Sequence, residues 1–172
     1  NTFSVGALKG VGRISQQTFI DTYSRVDFVK LYDRRTPITA AGLLNDRVLP
    51  FFDQHEIPLN LVLTDRGTEY CGAPERHEYE LYLAVENIDH TRTKTRHPQT
   101  NGICERFHKT MLPEFYRVAF RKKIYRTLDE LDHWLQEYNE QRSHQGGWCY
   151  GKMPWQIFAD SVPLAKEKML AA

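Results

Sequence analysis

Two carboxylates stand out by their surroundings. Asp65 follows a short apolar run, Leu59 to Thr64, and Glu105 opens a stretch whose apolar residues recur every three or four positions. Acids carried on separate elements can converge at one end of a sheet. Paired carboxylates suit hard divalent cations such as Mg²⁺, which prefer oxygen ligands and keep several waters. Two such ions can stabilise the entering and leaving oxygens of an in-line phosphoryl displacement. The chain surrounds Glu105 with cations and hydrogen-bond donors: Arg96, His97, Gln99 and Asn101 before it, His108 and Lys109 after it. On a helix, positions three and four beyond Glu105 share its face, where a cation can hold a DNA phosphate close to a metal. An isolated Asp and Glu would read as ordinary surface groups. The segments around them are what distinguish this pair.

The elements that must position these residues follow from periodicity. Thr2 to Leu8, Arg13 to Ile20 and Val26 to Tyr32 read as three strands joined by tight turns, hence an antiparallel meander. Asp21 is expected to cap the second turn. It is also the one early carboxylate that could approach residue 1. Pro37 opens a helical pattern carried by Ile38, Ala41, Leu44, Val48 and Phe52, and Ile57-Pro58 ends it. Leu59 to Thr64 reads as a strand, Glu78 to Val85 as a helix and Asn87 to Thr93 as a fifth strand. The helix bearing Glu105 has an apolar stripe of Cys104, Phe107, Met111, Phe115 and Val118, and Pro113 should kink or restart it near Leu112. Thr127 and Glu130 form a capping-box pattern before a further helix. A short helical turn at Pro154 to Phe158 and a terminal helix from Ala165 to Leu170 complete the expectation. The fold class is α/β with a mixed sheet.

Composition narrows the function. The chain has 172 residues and 41% hydrophobic content, enough for one core. No apolar run reaches the length of a membrane span, so a membrane partner is not expected. The net charge of +1 leaves nucleic-acid contact to local patches. Cys71, Cys104 and Cys149 form no C-x-x-C pair, which argues against a disulfide framework and for a reducing compartment. Cys104 and His108 alone make no zinc site. Arg117, Arg121, Lys122, Lys123 and Arg126 read as a solvated helix end, and Trp148, Tyr150 and Trp155 as packing residues.

Four segments together resemble the integrase core of DDE transposases, the retroviral integrase superfamily, with the IS481 and IS3 insertion-sequence group nearest in pattern. Leu63-Thr64-Asp65-Arg66-Gly67-Thr68-Glu69-Tyr70 resembles the segment around the second acid, and Pro98 to His108 that around the third. Tyr138-Asn139-Glu140-Gln141-Arg142-Ser143-His144 resembles the Y-N-x-x-R-x-H motif of such transposases, and Ile20 to Arg25 the second-strand turn. The resemblance implies an RNase H-like fold with a five-stranded mixed sheet flanked by helices, over residues 1–145, with 146–172 as a C-terminal extension. It implies metal-dependent DNA cleavage and strand transfer in transposition, with Mg²⁺ or Mn²⁺, two ions, held by Asp65 and Glu105. Its partners would be transposon-end and target DNA and further copies of the chain, as a homodimer or higher oligomer, in a bacterial cytoplasm. The family's usual upstream helix-turn-helix is expected outside this chain. One departure stands out: Asn1, in Asn1-Thr2-Phe3, occupies the place of the first catalytic acid. The rival readings are therefore an inactive DNA-binding core and an RNase H-like nuclease without strand transfer.

Overall fold

In the computed structural model, residues 1–94, 102–122, 125–145 and 151–171 are described. β1 (Thr2–Leu8), β2 (Gly12–Ile20) and β3 (Asp27–Tyr32) form the expected antiparallel meander, with β2 in the middle. Its second turn is closed by Asp21, whose Oδ2 accepts from the backbone nitrogen of Ser24 (2.8 Å) and its hydroxyl (2.6 Å). β4 (Leu61–Thr64) and β5 (Asp89–Arg92) pair in parallel across α3 (Glu78–Val85), as a strand-helix-strand unit requires.

All five expected strands are present, but they form two ladders rather than one continuous sheet. A cavity of about 340 Å³ lies between the ladders, lined by Asn1, Thr18, Leu61, Leu63, Thr64 and Cys104 among others. Leu61 and Leu63 accordingly keep half of their surface exposed.

Helices cover both faces of the meander. On one side, α1 (Pro37–Leu43), a π-helical stretch (Leu44–Val48) and α2 (Leu49–Gln54) run on from one another. Thr36 and Thr39 cap the start reciprocally. Leu43, Val48 and Phe52 pack here with Val62, Tyr79 and Leu83. On the other side lie α4 (Gly102–Met111), a second π-helical stretch (Leu112–Tyr116), α5 (Arg117–Lys122) and α6 (Leu128–Gln145). Their Phe107, Met111, Phe115, Leu131 and Leu135 pack on Ile14, Val29 and Leu31.

Pro113 sits at the head of the second π-helical stretch. It has no backbone N–H to donate to the preceding turn, and the wider turn accommodates that loss without a break. The extra residue per turn rotates the following helix. The buried positions are therefore Tyr116 and Ala119, each 1% exposed, while Val118, expected on the stripe, is 42% exposed.

The two C-terminal helical pieces are one helix, α7 (Pro154–Leu170), with Pro163 inside it. Its Phe158 is buried against Phe51 and Phe52 of α2, and Trp155 lies against the same cluster. Trp148 and Tyr150 lie outside the described residues. No helix among the described residues is long and apolar enough to cross a membrane.

Candidate active site

Three separate elements meet where the candidate residues lie. Asn1 is held to β2 through both of its backbone groups: its ammonium donates to Thr18 O (2.8 Å) and its carbonyl accepts from Thr18 N (2.8 Å). Asp65 is the first residue beyond β4, half-buried, and its Oδ1 accepts from Gly67 N at 2.8 Å. The turn that follows is tied to the start of β1. Tyr70, Gln17 and Thr2 close a buried triangle of hydrogen bonds between 2.6 and 3.0 Å. Residue 70 is thus fixed beside residue 2, and the Asp65 turn beside residue 1.

α4 supplies the third side. Glu105 lies exposed in its first turn, and Cys104, its neighbour, faces the cavity that Asn1 also lines. Burial lowers the pKa of the Asn1 ammonium, while Cys104, Asp65 and Glu69 act in the opposite sense, so these groups share one electrostatic neighbourhood. Burial pushes the Cys104 thiol up, opposed by the Asn1 ammonium and reinforced by Asp65, Asp27 and Glu105. Asn1, Asp65 and the head of α4 are therefore gathered. Even so, no three His, Cys, Asp or Glu side chains among the described residues close on a common point.

Lys109 is exposed one helical turn beyond Glu105. His108, expected beside it as a DNA contact, is instead buried. Its Nε2 lies 2.9 Å from Thr18 Oγ1, and its ring stacks on Phe3 at 4.3 Å. Burial, then the Asn1 ammonium, holds its pKa down at about 3, so it is neutral at pH 7 and offers a phosphate no charge. Thr18 in turn accepts from Gln16 Nε2 (2.8 Å), and Tyr116 donates to Gln16. This chain of bonds ties α4 to β2. The sequence carried a signal for it: Cys104, Phe107, His108 and Met111 follow the i, i+3, i+4, i+7 pattern, which puts His108 inside the apolar stripe. Arg96, His97, Gln99 and Asn101 lie outside the described residues.

Glu69 is the carboxylate that the sequence reading passed over. It is 6% exposed, and Arg35 Nε lies 3.5 Å from its Oε1. Arg35 also donates from Nη2 to Thr2 O (3.0 Å). The residues are 34 positions apart, so their pairing has no local signature.

A search of solved structures finds the same architecture in retroviral enzymes. The HTLV-2 integrase catalytic core in complex with magnesium aligns with a TM-score of 0.63 at 16% identity, covering 91% of each chain. The BIV integrase catalytic core aligns at 0.64 and 17% identity, covering 93% of this chain and 92% of that one. The chain has an integrase-core fold. A chain from the structure of the simian T-cell lymphotropic virus intasome in complex with PP2A regulatory subunit B56 gamma aligns at 0.71 and 16% identity over 91% of this chain and 51% of that one. By sequence, residues 86–147 match the family described as "Integrase core domain". The chain is 26% identical over 138 residues to ORF3 of Spiroplasma virus SpV1-C74, named there as a candidate integrase; the match covers 74% of this chain and 37% of that one. It is 29% identical over 82 residues to an uncharacterized insertion element IS136 protein of Agrobacterium fabrum, covering 48% and 40%. The chain thus spans well under half the length of these curated relatives.

The donor chemistry fits a hard divalent ion. Asp65, Glu69 and Glu105 offer only oxygen. The Asp65 and Glu69 carboxylates pack against Gly67: a Cβ there would stand 2.6 Å from Glu69 Oε2 and 3.0 Å from Asp65 Oδ1, so the turn has no room for a side chain.

Proposed function

We propose that this chain is the catalytic core of a DNA transposase of the DDE type, acting by metal-dependent strand cleavage and strand transfer. The observation that carries the reading is that Asn1, Thr64 just before Asp65, and Cys104 just before Glu105 line one cavity between the two ladders. The magnesium named for the HTLV-2 neighbour and the insertion-element origin of one relative support it. Asp65 and Glu105 would hold Mg²⁺ or Mn²⁺, two ions in the full site, with position 1 as the third ligand. When bound, such ions supply an activated water or 3′-hydroxyl and neutralise charge on the scissile phosphate. The protein's own share is to present the carboxylates from rigid elements and to hold the DNA backbone. Residues 1–145 form the core, with 146–172 as an extension whose Phe158 docks on α2.

The partners would be DNA and further copies of the chain. HTLV-2 neighbours described in trimeric and dimeric forms and a neighbour within an intasome support that assignment. Asn1 favours one second reading, a core that binds DNA without cutting it, because an amide carries no charge toward a metal.

The direct test is metal affinity. Asp65→Ala should weaken Mn²⁺ binding at least about tenfold, a loss of roughly 1.4 kcal/mol, followed by the electron spin resonance of free Mn²⁺. Equal affinity in both proteins would remove Asp65 from the site.

Lys109 is the exposed cation best placed for a phosphate. Lys109→Ala should weaken DNA binding and lower the slope of log affinity against log salt by about one, as one fewer counterion is released. An unchanged slope would make Lys109 a bystander.

A further inference from the structure

A second cavity, of about 500 Å³, lies between β3, α2, α6 and α7, and it shares no lining residue with the cavity beside Asp65. The Y-N-x-x-R-x-H segment builds its floor. Asn139 lines it with Asp27 of β3, and Glu140 and Ser143 follow from the next turn of α6. Phe28, Phe51 and Trp155 supply an aromatic wall. We infer that this cavity is a binding site for a guanidinium cation, the head group of an arginine.

Two buried acceptors on the floor call for donors. Asp27 and Asn139 are each 5% exposed, yet neither Asp27 Oδ1 nor Asn139 Oδ1 has a hydrogen-bond partner. Buried polar atoms are nearly always paired, because an unmade bond there costs the full desolvation of the group. The other half of each side chain is engaged. Arg142 Nη1 lies 3.1 Å from Asp27 Oδ2, and Asn139 Nδ2 donates to Asp27 O at 3.1 Å. A backbone carbonyl only accepts, so it fixes the orientation of the amide and leaves Oδ1 as the outstanding acceptor. The donors around the cavity are spent on backbone too. Gln136 Nε2 donates to Val29 O (2.6 Å) and His55 Nδ1 to Phe51 O (2.8 Å). The floor therefore presents oxygens and needs N–H groups from its ligand.

Charge and shape narrow the ligand further. Asp27 and Glu140 line the cavity, and no lysine or arginine among the described residues does. An anion is excluded, and a cation is favoured over a neutral donor. With Arg142 on Asp27 Oδ2, a second cation brings the group of Asp27, Glu140, Arg142 and ligand to neutrality. A guanidinium is planar, presents parallel N–H donors to two acceptors, and rests on aromatic faces. A single water takes up only about 30 Å³, whereas this cavity has the size of a small-ligand site and admits the head and stem of an arginine.

The experiment is a nuclear magnetic resonance titration of the chain with ethylguanidinium, followed at the Asn139 side-chain amide and the Trp155 indole. Both signals should shift together and saturate in the millimolar range. Ethylurea, which keeps the shape and the donors but not the charge, should bind at least about tenfold more weakly. Ser143→Leu, which fills the cavity, should weaken ethylguanidinium at least about tenfold in a protein with a native near-ultraviolet circular dichroism spectrum. N-acetylarginine N-methylamide separates the two sources of the cation. Binding at least as tight as that of ethylguanidinium assigns the site to an arginine on a protein, and its exclusion assigns a free guanidino compound. No shift at Asn139 and Trp155 with millimolar ethylguanidinium would overturn the inference, as would equal binding of ethylurea or undiminished binding by Ser143→Leu.

Discussion

Asn1→Asp should convert a nearly inactive protein into one that cleaves DNA carrying the element's ends in a Mg²⁺-dependent reaction, faster by about a hundredfold or more. That gain corresponds to about 2.7 kcal/mol of transition-state stabilisation. The physical basis is charge. Two divalent cations held close together repel each other, and each negative ligand offsets part of that repulsion. An amide keeps the shape of the carboxylate and loses its charge. The comparison needs chains extended upstream, because the free ammonium at Asn1 sits buried among Asp65 and Glu69 and adds a positive charge of its own. Equal cleavage by the Asn and Asp forms would show that position 1 is not a ligand. DNA binding without cleavage by either form would favour the binding-module reading.

Arg142→Met should be the most destabilising of the conservative changes outside the site, at about 3–5 kcal/mol, a large part of a typical domain's stability. Asp27 on β3 is buried, and its Oδ2 lies 3.1 Å from Arg142 Nη1. Asn139 donates to Asp27 O at 3.1 Å, and the Arg142 guanidinium lies over the Phe107 ring at 4.9 Å. The Y-N-x-x-R-x-H segment thus clamps α6 to β3 and α4. Losing the guanidinium strands a carboxylate in the core. Burial already pushes the Asp27 pKa up to about 6, against the pull of Arg142 and Asn139. The folded protein therefore holds this proton better than the unfolded chain. Asp27 favours folding below the usual carboxylate pKa and loses that contribution as pH rises through about 6. The Arg142→Met loss should be full at pH 8 and smaller at pH 5, where Asp27 is protonated. Urea unfolding at both pH values reads this directly. A loss below 1 kcal/mol at pH 8 would show that the clamp does not hold the core.

The strands were legible because alternating and apolar runs end at turn residues, and Asp65 was legible because it ends such a run, although Leu61 and Leu63 of that strand are half exposed. Helix phase was less so. Stripe counting assumes a constant pitch, and the π-helical stretch at Leu112–Tyr116 moves the buried position from Val118 to Ala119. His108 was misplaced by weighing its spacing from Glu105 above its place in the apolar stripe. Glu69 and Arg35 meet through the fold alone, and so does the Asp27–Arg142 pair, 115 positions apart. Burial on two faces makes β2 unusual. Its Gln16, Gln17 and Thr18 are polar yet 0–2% exposed, each satisfied by a side chain from a distant element. Local pattern carries no trace of such partners.

The proposed function stands on Asp65 and Glu105, with position 1 beside them, acting as a divalent-metal site for phosphoryl transfer. Crystals of the chain soaked in Mn²⁺ test it most directly through the anomalous signal of the metal. A peak should appear in contact with the Asp65 carboxylate, facing Glu105 at the head of α4, and should be lost in Asp65→Ala. A peak bound elsewhere, or none at saturating Mn²⁺, would contradict it.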